Sequence, residues 1–235
     1  MEAIILAGGK AERLGDAAAG RPKALVDVAG RPLAAYQVGQ LARASVGRVI
    51  VSCAAGKEDE FAEALAGLGP EVVPVAEPEP LGRGGGLRFA AQARREEGPV
   101  FALNGDELLD VDLRGMLARH RERSAAATIA LTPLQSPFGV VELAEDDTVT
   151  GFREAPRLPH WVSVGVYVLG EEALDRLPER GDHEQTTFPE LAREGKLLGW
   201  RHEGTWLTVN TLKDLRKAED YLTRHSEWQP RRVVS

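Results

Sequence analysis

The 235-residue sequence is short of several residue types, and each shortage excludes a class of protein. It has a single cysteine, Cys53, which excludes an internal disulfide, and the apolar residues before it predict a buried thiol. No apolar run is long enough to span a bilayer, and the first residues form a strand pattern without a basic leader or a cleavage site. We therefore expect a cytoplasmic protein with no membrane partner.

Positive charge is also in deficit. The chain carries 29 Lys and Arg against 36 Asp and Glu, which gives a formal net charge of −7. Nucleic-acid binding normally needs a basic face, so this balance predicts no nucleic-acid partner. The hydrophobic fraction of 43% is ordinary for a globular protein, and the length suffices for the core of one α/β domain. We predict a single domain over residues 1–235, although the length also accommodates two.

The order of strand-like and helix-like segments predicts the fold class. In the first half the two alternate, as in a parallel sheet wrapped by helices, and in the second half the strands come at shorter intervals. The predicted strands are Ala3–Leu6, Arg48–Cys53, Glu71–Pro74, Val100–Leu103, Ala126–Thr132, Gly139–Leu143, Thr148–Phe152, Val162–Leu169, Leu197–Arg201 and Trp206–Val209. The predicted helices are Leu33–Ala44, Glu58–Leu68, Gly86–Arg95, one that Asp112 caps and that runs to Arg123, Glu171–Leu177, Phe188–Arg193 and Lys213–Thr223. The tail, residues 230–235, has no clear periodicity.

The most informative motif is the first apolar strand, which ends in Gly8 and Gly9. Glycine lets the backbone approach a ligand closely, and successive amide N–H groups in such a loop form a concave anion site. Arg13 and Lys23 would add positive charge for a polyphosphate. The loop lacks the Gly-Lys-Ser/Thr ending of a P-loop and the third glycine of a Rossmann fingerprint. It predicts a nucleotide-phosphate site of another kind, and the alternative is a turn with two solvated basic side chains.

A second motif, Asn104-Gly105-Asp106, follows a predicted parallel strand. The carboxyl ends of such strands form the edge at which open α/β sheets bind ligands. A carboxylate there suits Mg²⁺, which takes one or two carboxylates and completes its shell with waters and phosphates. We predict that Asp106 binds the metal, and the alternative is an aspartate that caps a turn or a helix. For the neighbouring Glu107 we predict a turn cap.

These motifs resemble the signature of the sugar-phosphate nucleotidyltransferases, in particular the mannose-1-phosphate guanylyltransferase-like branch. The N-terminal match is Leu6-Ala7-Gly8-Gly9-x-x-x-Arg13-Leu14 with Pro22-Lys23. The matches that follow in the family's order are Leu81–Leu87, Asn104–Asp106, Phe138–Glu142, Gly151–Pro156, Gly165–Leu169 and Gly204–Thr211. The resemblance covers most of the chain. It implies an α/β fold with a mixed, mostly parallel sheet flanked by helices, Rossmann-like and of the nucleotide-diphospho-sugar transferase type.

The resemblance also implies roles for the matched residues, with Mg²⁺ as cofactor and pyrophosphate as a product. A nucleoside triphosphate would contact Leu6, Ala7, Gly8, Gly9, Gly85 and Asn104. The catalytic residues would be Arg13, Lys23 and the metal ligand Asp106. A phosphorylated acceptor, most simply a sugar phosphate, would contact Gly139, Glu154 and Gly165. The nucleotide-binding core would take about residues 1–135 and the acceptor-binding half about residues 136–235. The sequence leaves the oligomeric state open, with a homo-oligomer as one alternative.

Several positions depart from the family pattern. Glu12 adds negative charge near the phosphates, and Arg83 replaces a small residue, so that it is predicted to stack on a base or meet a phosphate. Ala155 replaces the lysine that meets the sugar phosphate. Thr208 replaces the aspartate that binds a second metal, and Asn210 replaces a glycine. Two alternatives stay open: a molybdenum-cofactor-type nucleotidyltransferase with a non-sugar acceptor, and a catalytically weak homologue that binds nucleotide and regulates a partner.

Overall fold

The computed structural model describes residues 1–9, 11–18 and 20–228. Within this part the α-helices are α1 (Leu33–Arg43), α2 (Glu58–Ala64), α3 (Gly82–Ala91), α4 (Leu113–Glu122), α5 (Glu171–Asp175), α6 (Thr187–Arg193) and α7 (Leu212–Arg224). The β-strands are β1 (Glu2–Leu6), β2 (Asp27–Val28), β3 (Arg31–Pro32), β4 (Arg48–Ala54), β5 (Glu71–Glu77), β6 (Val100–Asn104), β7 (Glu107–Leu109), β8 (Ala127–Gln135), β9 (Val140–Leu143), β10 (Val149–Arg153), β11 (Arg157–Leu169), β12 (Leu197–Arg201) and β13 (Trp206–Thr208). The tail beyond residue 228 and the side chain of Glu12 lie outside the described part.

Seven strands form the main sheet, in the order β12-β8-β11-β6-β1-β4-β5. The pairs β1–β4, β1–β6, β4–β5 and β8–β12 are parallel, whereas β11 runs antiparallel to both of its neighbours, β6 and β8. Helices pack against the sheet, so the predicted mixed, mostly parallel α/β fold is confirmed. Strands from both ends of the chain lie in this one sheet.

Both faces of the main sheet are buried, because successive apolar side chains along a strand alternate between them. Ala3 and Ile5 of β1 belong to one hydrophobic cluster, together with residues of α1 and α4, while Ile4 belongs to a second cluster with residues of α3 and α6. Successive side chains of a strand point to opposite faces, which explains why a continuous apolar run suits a strand covered on both sides. A third cluster joins the C-terminal helix α7 to the segment before α1.

Helix α3 begins at Gly82, four residues before the predicted start at Gly86. Because glycine is a poor helix former, the sequence predicts a loop for residues 82–85. The turn is fixed from outside by the segment around Gly181, whose carbonyl oxygen accepts from the amide of Gly84 at 2.8 Å. Tertiary contacts thus override the local preference.

Three small two-stranded sheets surround the main one: β2–β3, β7–β13 and β9–β10. The β7–β13 pair matters most for the site, because it brings the C-terminal segment beside the residues that follow β6. In the part of the chain that the structure covers, no helix is long and apolar enough to cross a bilayer.

Candidate active site

A cavity of about 580 Å³ opens at the carboxyl ends of four neighbouring strands, β1, β4, β5 and β6. We call it the first cavity. Its lining residues come from the loops after those strands and from the start of α3: Leu6, Ala7, Gly8, Gly9, Lys23, Ala24, Ala54, Ala55, Glu77, Pro78, Glu79, Pro80, Gly82, Arg83, Asn104, Gly105, Asp106 and Glu107. Seven of the predicted site residues are therefore brought together at the edge of the sheet where ligands of such folds bind.

Lys23 is the cation at the floor of this cavity. It lies in a short 3-10 turn, and its backbone amide donates to the carbonyl oxygen of Gly9 at 3.2 Å, which ties the lysine to the glycine loop. Its ammonium group donates to Asp106 Oδ2 at 2.6 Å and to Asn210 Oδ1 at 2.5 Å. In the family pattern, Asn210 only takes the place of a glycine. The structure shows that its side-chain amide oxygen accepts from Lys23 and so positions the lysine.

Glu107 is half-buried beside this pair. The prediction that Glu107 caps a turn is wrong. Glu107 starts β7, and its Oε2 accepts from the indole Nε1 of Trp206 on β13 at 2.6 Å. Burial, and then the negative charge of Asp106, raise the pKa of Glu107 to about 8, against the opposing effects of the Trp206 hydrogen bond and of Lys23. The carboxyl group is therefore largely protonated at neutral pH in the protein alone.

Asn104 stands between the first cavity and a second one of about 460 Å³. Its Oδ1 is buried and has no hydrogen-bond partner among the described residues. Gly165 faces it across the β6–β11 pair, with φ +70° and so close that a Cβ there would lie 2.5 Å from Asn104 Nδ2. Only glycine combines this backbone with this approach.

Gln37 of α1 holds the backbone of the site. It is almost fully buried, and its Nε2 donates to the carbonyl oxygens of Asn104 and Glu107, each at 2.7 Å. The two residues that flank the Gly105-Asp106 turn are thus fixed by one amide. The sequence offered a weak signal for this role, a glutamine inside an otherwise apolar helix face.

Two of the residues predicted to bind nucleotide or to take part in catalysis do not line the first cavity. Arg13 is exposed in the 3-10 segment Glu12–Ala18, and Gly85 lies in the first turn of α3. A Cβ on Gly85 would lie 2.6 Å from the carbonyl oxygen of Glu179, so close packing of the backbone explains this glycine. The roles of Arg13 and Gly85 in nucleotide binding stay predictions.

Arg83 lines both cavities, but its guanidinium is engaged by protein carboxylates. It donates to Asp182, with Nε at 2.9 Å, and forms an ion pair with Glu184 at 2.7 Å. At the other end of the first cavity, Glu77 accepts from Ser52 Oγ at 2.6 Å and from the amide of Leu81 at 3.0 Å. These contacts fix the two walls of the cavity.

The predicted acceptor residues fall in two places. Gly139 and Glu154 lie together beside the β9–β10 hairpin, where a Cβ on Gly139 would be 3.1 Å from Glu154 Oε2. Gly165 lines the second cavity with Ser163. Among the described residues, neither Gly139 nor Glu154 lines one of the two cavities. Their contact with an acceptor therefore stays a prediction.

The family model for nucleotidyl transferases matches residues 2–225. The chain belongs to the nucleotidyl transferase family. This confirms the resemblance seen in the sequence motifs, and the first cavity is the candidate active site of a nucleotidyltransferase.

Curated relatives support the same branch. The chain is 31% identical over 243 residues to the mannose-1-phosphate guanylyltransferase catalytic subunit beta of Xenopus tropicalis, covering 97% of this chain and 68% of that protein. It is 32% identical over 236 residues to the mannose-1-phosphate guanylyltransferase of Mycobacterium tuberculosis, covering 95% and 65%. The nucleotidyltransferase described here thus spans about two thirds of the length of these relatives.

A solved structure supports the fold. A protein from Bacillus anthracis, crystallised in complex with a sucrose, superimposes with a TM-score of 0.75 at 17% identity and covers 94% of this chain and 95% of that one. At this identity the likeness concerns the fold alone.

Proposed function

We propose that this nucleotidyltransferase transfers a nucleoside monophosphate from a nucleoside triphosphate to a sugar phosphate and releases pyrophosphate. One observation carries the proposal: Lys23, Asp106 and the Gly8–Gly9 loop share one cavity at the carboxyl edge of the sheet. The two curated relatives are named for mannose-1-phosphate, which supports a sugar phosphate as the acceptor.

The chemistry needs little from the protein beyond alignment and charge. A phosphate monoester is largely dianionic at neutral pH and attacks the α-phosphorus without a dedicated general base. An acceptor oxygen forms the new bond to the α-phosphorus, the bond from that phosphorus to the bridging oxygen breaks, and pyrophosphate leaves with the electron pair. Lys23 neutralises charge on the departing group, and we assign the same task to Arg13.

The donor atoms in the first cavity fit Mg²⁺. Asp106 offers one carboxylate, and the buried Oδ1 of Asn104 lacks a partner among the described residues. Mg²⁺ prefers such oxygen ligands and fills its remaining positions with waters and substrate phosphates. We propose that Asp106 holds the ion, which when bound adds positive charge at the phosphates. Gly139, Glu154 and Gly165 are proposed to hold the acceptor.

A pyrophosphate-release assay tests the proposal. The purified protein is incubated with each of the four common nucleoside triphosphates and with mannose-1-phosphate or glucose-1-phosphate, in Mg²⁺ or in EDTA. We expect release that needs both substrates and Mg²⁺. Nucleotide binding by calorimetry without turnover on any sugar phosphate would instead favour a non-sugar acceptor or a regulatory homologue.

A further inference from the structure

Strands β7 and β13 place two side chains of the site directly opposite each other. The antiparallel register pairs Glu107 with Thr208. Directly opposed residues of an antiparallel pair point to the same face, with Cβ atoms about 4.5–5.5 Å apart. A carboxylate at either position therefore lies on the same face of the β7–β13 pair.

Trp206 anchors the Glu107 carboxyl group on that shared face. It lies two residues before Thr208 and so points to the same side of β13. Its Nε1 donates to Glu107 Oε2 at 2.6 Å. One oxygen of the carboxyl group is thus held by the indole, which leaves the other for a ligand.

Among the described residues no lysine, arginine or histidine forms an ion pair with Glu107. Lys23 is bound to Asp106 and Asn210, and Arg83 is bound to Asp182 and Glu184. Among the described residues that line the first cavity, Asp106 and Glu107 are thus adjacent acidic side chains, and the ammonium of Lys23 is already shared between two oxygens.

We propose that Glu107 supplies the second carboxylate of the metal site, in the place that Thr208 leaves without charge. The inference rests on the proposed function, in which Asp106 holds Mg²⁺. A Mg²⁺ site that also takes substrate phosphates holds the ion with one or two carboxylates, so a second carboxylate beside Asp106 fits such a site. In this chain the second carboxylate comes from β7, the strand that follows β6. It does not come from β13, the strand that pairs with β7.

Mn²⁺ binding tests the proposal without any need for turnover. Free Mn²⁺ is titrated into the protein and followed by electron paramagnetic resonance, since the bound ion loses its sharp signal. We compare the wild type with Asp106→Asn, Glu107→Gln, Glu107→Asp and the double variant Glu107→Gln with Thr208→Asp. Glu122→Gln, a surface carboxylate of α4 that pairs with Arg119, is the charge-matched control.

We expect Glu107→Gln to weaken Mn²⁺ binding by about tenfold or more, as does loss of a group from a metal site. The glutamine keeps an oxygen for Trp206, so thermal unfolding should stay close to that of the wild type. Glu107→Asp should retain more binding than the glutamine variant. The double variant should recover binding, because its carboxylate returns on the same face, and Glu122→Gln should bind as the wild type does.

Wild-type Mn²⁺ affinity in Glu107→Gln, together with a loss in Asp106→Asn, overturns the role of Glu107 and leaves the proposed function intact. Unchanged affinity in both variants overturns the metal role of Asp106 as well. If the double variant folds and binds no better than Glu107→Gln, the shared-face inference is wrong. If it does not fold, the comparison of Glu107→Gln with Glu107→Asp decides.

Discussion

Lys23 and Asp106 form an ion pair in the candidate active site, with 2.6 Å between the ammonium nitrogen and Oδ2. Their side chains are only 13% and 33% exposed, so solvent screens this contact less than it screens a fully exposed salt bridge. The cation proposed for the phosphates and the carboxylate proposed for the metal thus neutralise each other in the protein alone. When nucleotide and metal bind, they must replace the contact between Lys23 and Asp106. The binding of each should therefore depend on the other.

Asp106→Asn should abolish pyrophosphate release while leaving the melting temperature nearly unchanged. The substitution keeps the shape and an oxygen that accepts from Lys23, and it removes the charge proposed to hold the metal. Turnover in Mg²⁺ and thermal unfolding are measured on the same preparation, with Glu122→Gln as the control. An asparagine variant that turns over like the wild type would remove Asp106 from the mechanism.

Lys23→Ala and Arg13→Ala should each weaken nucleotide binding or slow turnover by about tenfold or more. A charge-assisted phosphate contact contributes about 1.5–3 kcal/mol, which corresponds to that loss. The steady-state constants for the nucleoside triphosphate are the measurement. Since Arg13 is exposed and lies outside the cavity wall, wild-type kinetics in its variant alone would mark it as a solvated residue.

Gly165→Ala should lower both stability and activity more than Gly195→Ala does. The two glycines have nearly the same backbone, with φ +70° and +69°. A Cβ on Gly195 meets nothing within 4 Å, whereas a Cβ on Gly165 would lie 2.5 Å from Asn104 Nδ2. Both variants carry a strain of about 1–3 kcal/mol, so the extra loss in urea unfolding reports the displacement of Asn104. Equal losses would contradict the close packing.

The stability of the metal-free protein should fall as the pH rises from about 5 to 8. The pKa of Glu107 is about 8 in the folded protein and 4.5 as its ordinary value. The folded state therefore keeps a proton that the unfolded state releases, so this contribution is full below pH 4.5 and is lost as the pH passes 8. Urea unfolding in EDTA should show a smaller slope for Glu107→Gln than for the wild type. Identical slopes would contradict the raised pKa.

Ala155→Lys should raise turnover of hexose-1-phosphates by about tenfold, the size expected of one added charge-assisted contact. Ala155 already has φ +43°, so a longer side chain adds no new backbone strain. Ala144→Lys, on an exposed position at the other end of the β9–β10 hairpin, adds the same charge as a control. Equal kcat/KM values in the wild type and in Ala155→Lys would show that another residue meets the acceptor phosphate.

The sequence predicts the parts of the site that are local in the chain. Gly8, Gly9 and Asp106 each follow a buried strand, and parallel strands bring their carboxyl ends to one edge, so their meeting follows from the fold class. Asn210 and Lys23 are 187 residues apart, and their contact depends on how β13 packs on β7. No periodicity encodes such a pairing.

The same limit explains the start of α3 and the setting of Glu107. Intrinsic propensity argues against helix at Gly84, and backbone hydrogen bonds with the distant Gly181 fix the turn. In the sequence alone, Glu107 is an ordinary polar residue after a glycine turn. The structure shows that the indole of Trp206 lies beside it. Both are cases in which tertiary contacts decide what local chemistry leaves open.

The β9–β10 hairpin exchanges its backbone hydrogen bonds within itself and forms a sheet separate from the main one. One side of the hairpin exposes Val141, Leu143, Val149 and Phe152, with exposed fractions between 43% and 65%. Replacement of this segment leaves every strand pairing of the seven-stranded sheet in place. Under the proposed acceptor role of Gly139 and Glu154, acceptor preference would diverge in evolution, or be grafted from a relative, by exchange of one short module.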